Sequence, residues 1–439
     1  MTQGTQLSAA SLRAFTSPYK TLLKDRRLQE GLDACVWGII GSGGCKVAQM
    51  AACNPLTAGV KHGERRLRRL IHGGNERAQV TAQALGRVLT SEGAKRLANE
   101  HEVLLMIDES DLRKPFAREL EYLDTVRDLE GNPVSGFHTL TVLGIGETGR
   151  RALLHQHSFS TRAPGFRSVN DEYRQAMSKV SAALRAQSVG RLVWVMDRGF
   201  DDHKLLGWLH GRGECFVVRS QHPKRRAKLR VDAPAKSLAS WLGEATVIGR
   251  VPLEKRLLSH TSSRACCRVA VRALRVELEQ LPGCDTTVIE LSHPRLVQPW
   301  LLLSNLRSGD ERAVQPALAK RIVRAYRQRW AIEDLFAWTK DALDWESVRV
   351  LDYEALRTLV SLAWLAAAFI FNLGAAPLQP EVLLLARLGG WTPGKAKPGK
   401  AALCKGLARL SHHWVVEQLA KNPATAALLR RLTCDLLRS

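Results

Sequence analysis

The sequence predicts an α/β protein, on three observations. Short apolar runs end abruptly in a carboxylate: VLLMI leads to Asp108, and RLVWVM to Asp197. That is the pattern of a buried strand delivering a charged side chain at its C-terminal edge, where ligands of open α/β sheets collect. Strand-like and helical segments alternate through the middle of the chain. Finally, residues 325–343, AYRQRWAIEDLFAWTKDAL, contain no Gly or Pro and predict one unbroken helix.

Taken in order, strands are expected near 103–107, 136–147 and 151–160, then a helix at about 170–187. A strand follows at 191–196, a short helix near 202–211 and a strand at 215–220. Three antiparallel strands, a helix, then further strands and helices describe a ribonuclease-H-like core. In that order the first and fourth strands are neighbours, so Asp108 and Asp197 face each other. Asp111, Asp201 and Asp202 are read as turn or helix-cap residues.

Residues 1–100 look helical, and KHGERRLRRL at 61–70 gathers Arg65, Arg66, Arg68 and Arg69. A solvated basic face and contact with a DNA backbone both fit that cluster. The core occupies 101–220 and resumes at 310–375. Residues 221–309 interrupt it as a β-rich added module, with strands in TVIGRVPL, CCRVAVRALRVEL and TTVIELS and a basic loop in PKRRAKLR. Residues 376–439 open with Pro-rich, Gly-rich and basic sequence and end in a helical pattern. Dimerisation and DNA contact are both open for that region.

Within the 325–343 helix, Tyr326, Arg329, Glu333 and Lys340 form a Y-x2-R-x3-E-x6-K pattern. At roughly 100° per residue their side chains fall within about 60° of arc. Ile332, Phe336 and Leu343 lie on an adjoining stripe that seats the helix on a core. A carboxylate between cations suits metal binding combined with phosphate capture. The plain alternative is a solvated face of i,i+4 ion pairs. With Asp108 and Asp197, Glu333 completes a three-carboxylate site. Such a site suits two divalent cations about 3.5–4 Å apart, the arrangement used for in-line displacement at phosphorus.

These residues resemble the bacterial insertion-sequence DDE transposases defined by the YREK signature, the insertion-sequence-four family. The matching positions are Asp108 in MIDESDLRKP, Asp197 in DRGF, and Tyr326, Arg329, Glu333 and Lys340. Weaker echoes are GERRLRRL at 63–70, WLLLSN at 300–305, LARLGGW and a later KGLARL, so the likeness runs from about residue 60 to about 410. The resemblance implies that Asp108, Asp197 and Glu333 hold two Mg²⁺ ions, with Mn²⁺ able to substitute. It implies cleavage at transposon ends and strand transfer into target DNA without a covalent enzyme intermediate. Arg329 and Lys340 would clamp phosphates, and Tyr326 would hydrogen-bond the DNA backbone. The N-terminal helical domain would bind the terminal inverted repeats, and the protein would act on double-stranded DNA as a homodimer. The insertion would shape the cleft and can supply a Trp near a flipped base; Trp300 and Trp241 are candidates, with a core role open for each. Arg198 would touch DNA or pair with a core carboxylate. A DDE-type nuclease that cuts without joining, and a transposase-derived DNA-binding regulator without catalysis, are the alternatives.

Composition points to the same partner. A formal charge of +23 and a pI near 10.1 imply a polyanion or a membrane surface. The longest apolar run, TLVSLAWLAAAFIF at 358–371, is shorter than the roughly 20 residues of a membrane span and reads as a buried helix. The N-terminus has no apolar signal-peptide region, so a cytoplasmic protein is expected. Nine cysteines without C-x-x-C pairs are read as reduced thiols. His155 and His157 share one strand face, and a metal role there is not favoured.

Overall fold

The computed structural model describes residues 3–53, 60–72, 80–229, 233–254, 266–294, 298–307, 313–375, 379–393 and 398–421, with residues 296, 423, 426 and 427. The N-terminal region is helical, with α1 (Gln3–Lys20), α2 (Arg26–Ser42), α3 (Val47–Ala52), α4 (Val60–His72) and α5 (Ala82–Arg96). Asp25 starts α2 by accepting the Arg27 N–H, and Gly43 ends it in the left-handed region at φ 63°.

Next come β1 (Glu102–Arg113), β2 (Asp124–Arg127), β3 (Pro133–Gly146), β4 (Arg151–Phe159), α6 (Val169–Arg185), β5 (Arg191–Met196), α7 (His203–Gly211) and β6 (Cys215–Ser220). The chain continues through β7 (Arg226–Lys228), β8 (Lys236–Ser237), α8 (Leu238–Glu244), β9 (Val247–Glu254), β10 (Cys266–Leu278), β11 (Asp285–Ser292) and β12 (Trp300–Ser304). Five helices follow: α9 (Pro316–Arg327), α10 (Trp330–Leu343), α11 (Tyr353–Ala375), α12 (Pro380–Leu388) and α13 (Lys400–Leu419).

Among the described residues, the strands belong to one mixed sheet in the order β2-β3-β1-β5-β6-β12-β11-β10-β7-β8, with β4 on β3 and β9 on β10. The β1–β5 and β5–β6 pairs are parallel. The elements expected between residues 103 and 220 are present, and the first and fourth of the expected strands are neighbours. Some expectations need correction. β1 does not stop before Asp108; it pairs with β3 from Val103 opposite Gly146 to Arg113 opposite Gly136. Its parallel partner β5 ends at Met196, so Asp108 sits where β1 loses one neighbour. The polar sequence ESDLR hid the extension, as the polar surroundings of DTVR hid β2. The 221–309 stretch is rich in strands, and β12 pairs antiparallel with β6, so it carries the core sheet onward.

A further correction concerns Asp201. Asp202 caps α7 as expected, accepting from Lys204 N and Leu205 N. Asp201 is no turn residue. Its buried carboxylate accepts from Arg225 Nη1 at 2.7 Å and from Ser220 Oγ at 2.6 Å. Arg225 belongs to PKRRAKLR, and residues 226–228 of that segment form β7; Arg230 lies outside the described residues.

Alternation along the strands supplies two apolar faces. Val193 and Val195 face the helices of the chain's two ends with Met106 and Leu302, while Trp194 and Met196 face α6 and α7 with Leu105 and Phe216. Burial on both faces explains why these strands read as continuous apolar runs. α11 is apolar all round. It is long and apolar enough to cross a membrane, yet most of it is buried inside the protein. Phe369 meets Phe15 of α1 at 5.4 Å, and Trp364 meets Phe336 of α10 at 5.9 Å. The chain's ends also meet directly: Trp37 Nε1 donates to Ser411 Oγ at 2.9 Å. Gly41 allows that approach, since a Cβ there would lie 2.8 Å from Ser411 Oγ.

The Asp201–Arg225 pair gives a test of the frame. Arg225→Met strands a buried carboxylate and is expected to cost about 3–5 kcal/mol in urea unfolding, with Asp201→Asn added to it recovering most of the loss. A single variant as stable as the parent would contradict this reading.

Candidate active site

The β-sheet register sets the first two carboxylates. Met106 on β1 lies opposite Val195 on β5, so Asp108 and Asp197, each two residues further on, occupy the same face at the same level. This is the face of Met106 and Val195, on which α9 and α10 pack. Glu333 enters from the first turn of α10.

The expected single helix is broken. α9 ends at Arg327, and α10 begins at Trp330. Gln328 and Arg329 keep right-handed helical dihedrals. Their N–H groups bond three residues back, to Ala325 O and Tyr326 O at 3.0 Å each, so the junction is a tightened 3₁₀-type turn. The junction leaves Tyr326, Arg329 and Glu333 converging on the aspartates, while Lys340 lies about two turns beyond Glu333 along α10.

Arg329 occupies the middle of the site and is 6% exposed. Its Nη1 lies 3.2 Å from Asp108 Oδ2 and 4.0 Å from Asp197 Oδ2, and its Nη2 donates to Glu333 Oε1. The two aspartate oxygens are therefore no further apart than the sum of their distances to one nitrogen. Tyr326 OH donates to Asp197 Oδ1 at 3.3 Å, and the Tyr326 ring lies 5.9 Å from the Arg329 guanidinium. Trp300 meets Tyr326 edge-on at 5.8 Å, and the Arg219 guanidinium lies over the Trp300 ring at 4.9 Å.

Charge follows from this crowding. Burial, the largest cause, pushes the Asp108 carboxyl up to about 7. Arg329 opposes the rise, Asp197 and Glu333 add to it, and the Glu109 N–H works against it. Burial also works against the Arg329 cation, but Tyr326, Asp197, Glu333 and Asp108 hold its pKa above the ordinary value. Burial, with the Asp197 charge second, pushes Tyr326 up to about 12.

Three converging carboxylates form a hard oxygen donor set of the kind Mg²⁺ and Mn²⁺ take. Among the described residues no group of three or more His, Cys, Asp or Glu is arranged to hold a metal ion. The reason is local: the carboxylates gather around the guanidinium, and Arg329 supplies the positive charge they require. The donor chemistry fits a divalent cation, with Arg329 as its competitor.

The other expected residues fall elsewhere. Lys340 Nζ donates to Asp111 O at 3.0 Å and pairs with Glu346 at 3.4 Å, tying α10 to the far part of β1. Burial lowers the Lys340 pKa, and Glu346 opposes the shift. Glu346, which the sequence did not single out, also takes Arg113 at 3.2 Å. Asp111 is thus a strand residue whose carbonyl holds Lys340. Arg198 is exposed directly after Asp197 and forms no ion pair among the described residues. On α4, Arg66 pairs with Glu30 at 3.9 Å and Arg68 with Glu64 at 2.7 Å. Arg65 and Arg69, one turn apart, are exposed and form no ion pair among the described residues. Trp300 and Trp241 are both buried, and Trp241 Nε1 donates to Ala227 O.

Residues 168–370 match the family described as Transposase DDE domain. The match includes Asp197 and the Tyr326–Lys340 residues and begins after Asp108. Among solved structures, the cryo-EM structure of a piggyBac transposase synaptic complex with hairpin DNA aligns with a TM-score of 0.39 and 13% identity. The alignment covers 72% of this chain and 54% of that one, so the chain spans about half the length of that transposase. The domain match supports a DDE transposase.

Removing the central cation should expose the carboxylate repulsion. Arg329→Met, unfolded in urea with chelator present, is expected to lose about 3 kcal/mol, the low end for breaking a buried pair because Glu333 is one third exposed. Added Mg²⁺ should raise the melting temperature of this variant more than that of the parent. Equal stability of the two proteins in chelator would show that Arg329 does not neutralise the site.

Proposed function

We propose that this chain is an insertion-sequence transposase of the DDE type, cutting DNA at the element's ends and joining the freed ends to target DNA. One observation carries the reading: Asp108, Asp197 and Glu333 come from three separate elements onto one buried guanidinium. The β4-β3-β1-β5-β6 order and the domain match support it. We read that strand order as a ribonuclease-H-like core and the Tyr326–Lys340 pattern as the signature of the insertion-sequence-four family.

In this reading Asp108, Asp197 and Glu333 hold Mg²⁺, two ions as the resemblance implies. When bound, the cations supply Lewis-acid chemistry that activates water or a 3′-hydroxyl and stabilises the leaving 3′-oxygen. The protein's own groups orient the DNA. Arg329, relieved of its carboxylates, offers a fork suited to phosphate oxygens, while Lys340 offers a point charge from its remaining donor. Tyr326 bonds the backbone, and Arg198 stands exposed beside Asp197 to meet the same strand. Arg65 and Arg69 on α4, with Arg66 and Arg68 held in ion pairs beside them, contact phosphates of the terminal repeat. The DNA complex is a homodimer working in the cytoplasm, where the chromosome lies.

Cleavage and joining are tested together on a duplex carrying the DNA that flanks the reading frame. Asp108→Asn, Asp197→Asn and Glu333→Gln are each expected to lower Mg²⁺-dependent cleavage at least about a thousandfold, or about 4 kcal/mol, with duplex binding retained. The Arg65→Ala, Arg69→Ala pair should instead weaken binding and flatten its dependence on salt. Wild-type cleavage by any carboxamide variant removes that residue from the site. Cut products that never become joined would identify a nuclease.

A further inference from the structure

A cavity of about 820 Å³ lies between α5, β4, α6 and the start of α11, bordered by residues 160–166. None of its lining residues belongs to the carboxylate site or to the Tyr326–Lys340 set. Its size is that of a site for a small organic ligand.

The floor is polar and ordered. His155 is 6% exposed, and its Nδ1 has no hydrogen-bond partner. A buried ring nitrogen without a partner is costly, so it marks a place where a ligand or water belongs. His157 beside it is held by Glu172 at 3.2 Å and by Arg357 at 3.3 Å. Burial, with neighbouring positive charge second for His155, keeps both imidazoles below their ordinary range, His155 at about 3. A neutral imidazole presents one donor and one acceptor.

The walls are flat. Phe159 and Phe166 lie nearly parallel at 6.2 Å and 7°, and Tyr353 and Tyr122, edge to face at 5.5 Å, also line the cavity. The rim is cationic. Arg87 and Lys179 are exposed there and form no ion pair among the described residues. The lining carboxylates are engaged internally: Glu354 with Arg357 at 2.5 Å, Glu172 with His157, and Glu121 with the Tyr353 N–H.

We propose that this cavity binds a nucleotide unit, its base beside the aromatic walls with a polar edge toward His155, and its phosphate at Arg87 and Lys179. Bases of any kind stack on such rings, and cations follow the phosphate. The unit is either a free nucleotide or an unpaired residue of a DNA strand. This site and the carboxylate site can fail independently.

The test follows 2-aminopurine fluorescence while the full chain is titrated, with excess unlabelled duplex present to cover general DNA-binding surfaces. One probe is 2-aminopurine deoxyribonucleoside monophosphate; the other is an oligothymidylate of about ten residues with 2-aminopurine at its centre. Quenching of the monophosphate assigns a free nucleotide, and quenching of the oligonucleotide alone assigns a DNA strand. In the arm that responds, Lys179→Glu and Phe166→Ala are each expected to weaken binding about tenfold or more. Cleavage of duplex should be unchanged in both variants. Arg87→Glu, a rim change at an exposed position, replaces Phe166→Ala if that variant does not fold. No quenching with either probe, or equal binding by parent and variants, overturns the proposal.

Discussion

The structure turns on one guanidinium. Asp108, Asp197 and Glu333 converge on it from three separate elements, and Arg329 answers all three from a buried position. In the proposed function, metal ions would take over the charge that Arg329 supplies here and leave the guanidinium for a phosphate. The 3₁₀-type junction between α9 and α10 puts Arg329 at this point and keeps Tyr326 against Asp197.

The remainder of the fold holds that geometry still. β1 and β5 are buried on both faces, which fixes their register and so the level of the two aspartates. α10 is set against this face by packing on α11, whose apolar surface is covered by helices from both ends of the chain, while α9 packs on β5 and β6. Lys340, Glu346 and Arg113 stitch the end of α10 to the end of β1.

Much of this was legible in the sequence because local patterns and global structure agree there. VLLMI and RLVWVM announce strands by continuous burial, and their register alone brings Asp108 and Asp197 together. What the sequence concealed was tertiary. Asp108 lies inside β1, because β3 goes on supplying hydrogen bonds after β5 has ended, while the residues past 108 are polar. The helix break at Gln328 and Arg329 carries no Gly or Pro to signal it. Asp201 looked like a turn residue, and only the distant Arg225 explains its burial. The central placement of Arg329 also escaped, since spacing gives a side chain's helical face but not what stands opposite it. The cavity around His155 draws its lining from α5, the β4–α6 stretch and the start of α11, so no local motif announces it.

The account's central claim is that the three carboxylates make one divalent-cation site. Fe²⁺-directed hydroxyl-radical cleavage of the full-length polypeptide tests it directly, because the radicals cut the backbone only near the bound ion. The account predicts cuts at three places, around Asp108, Asp197 and Glu333, all suppressed by excess Mg²⁺. Cuts confined to one of these segments, or falling elsewhere, would contradict it.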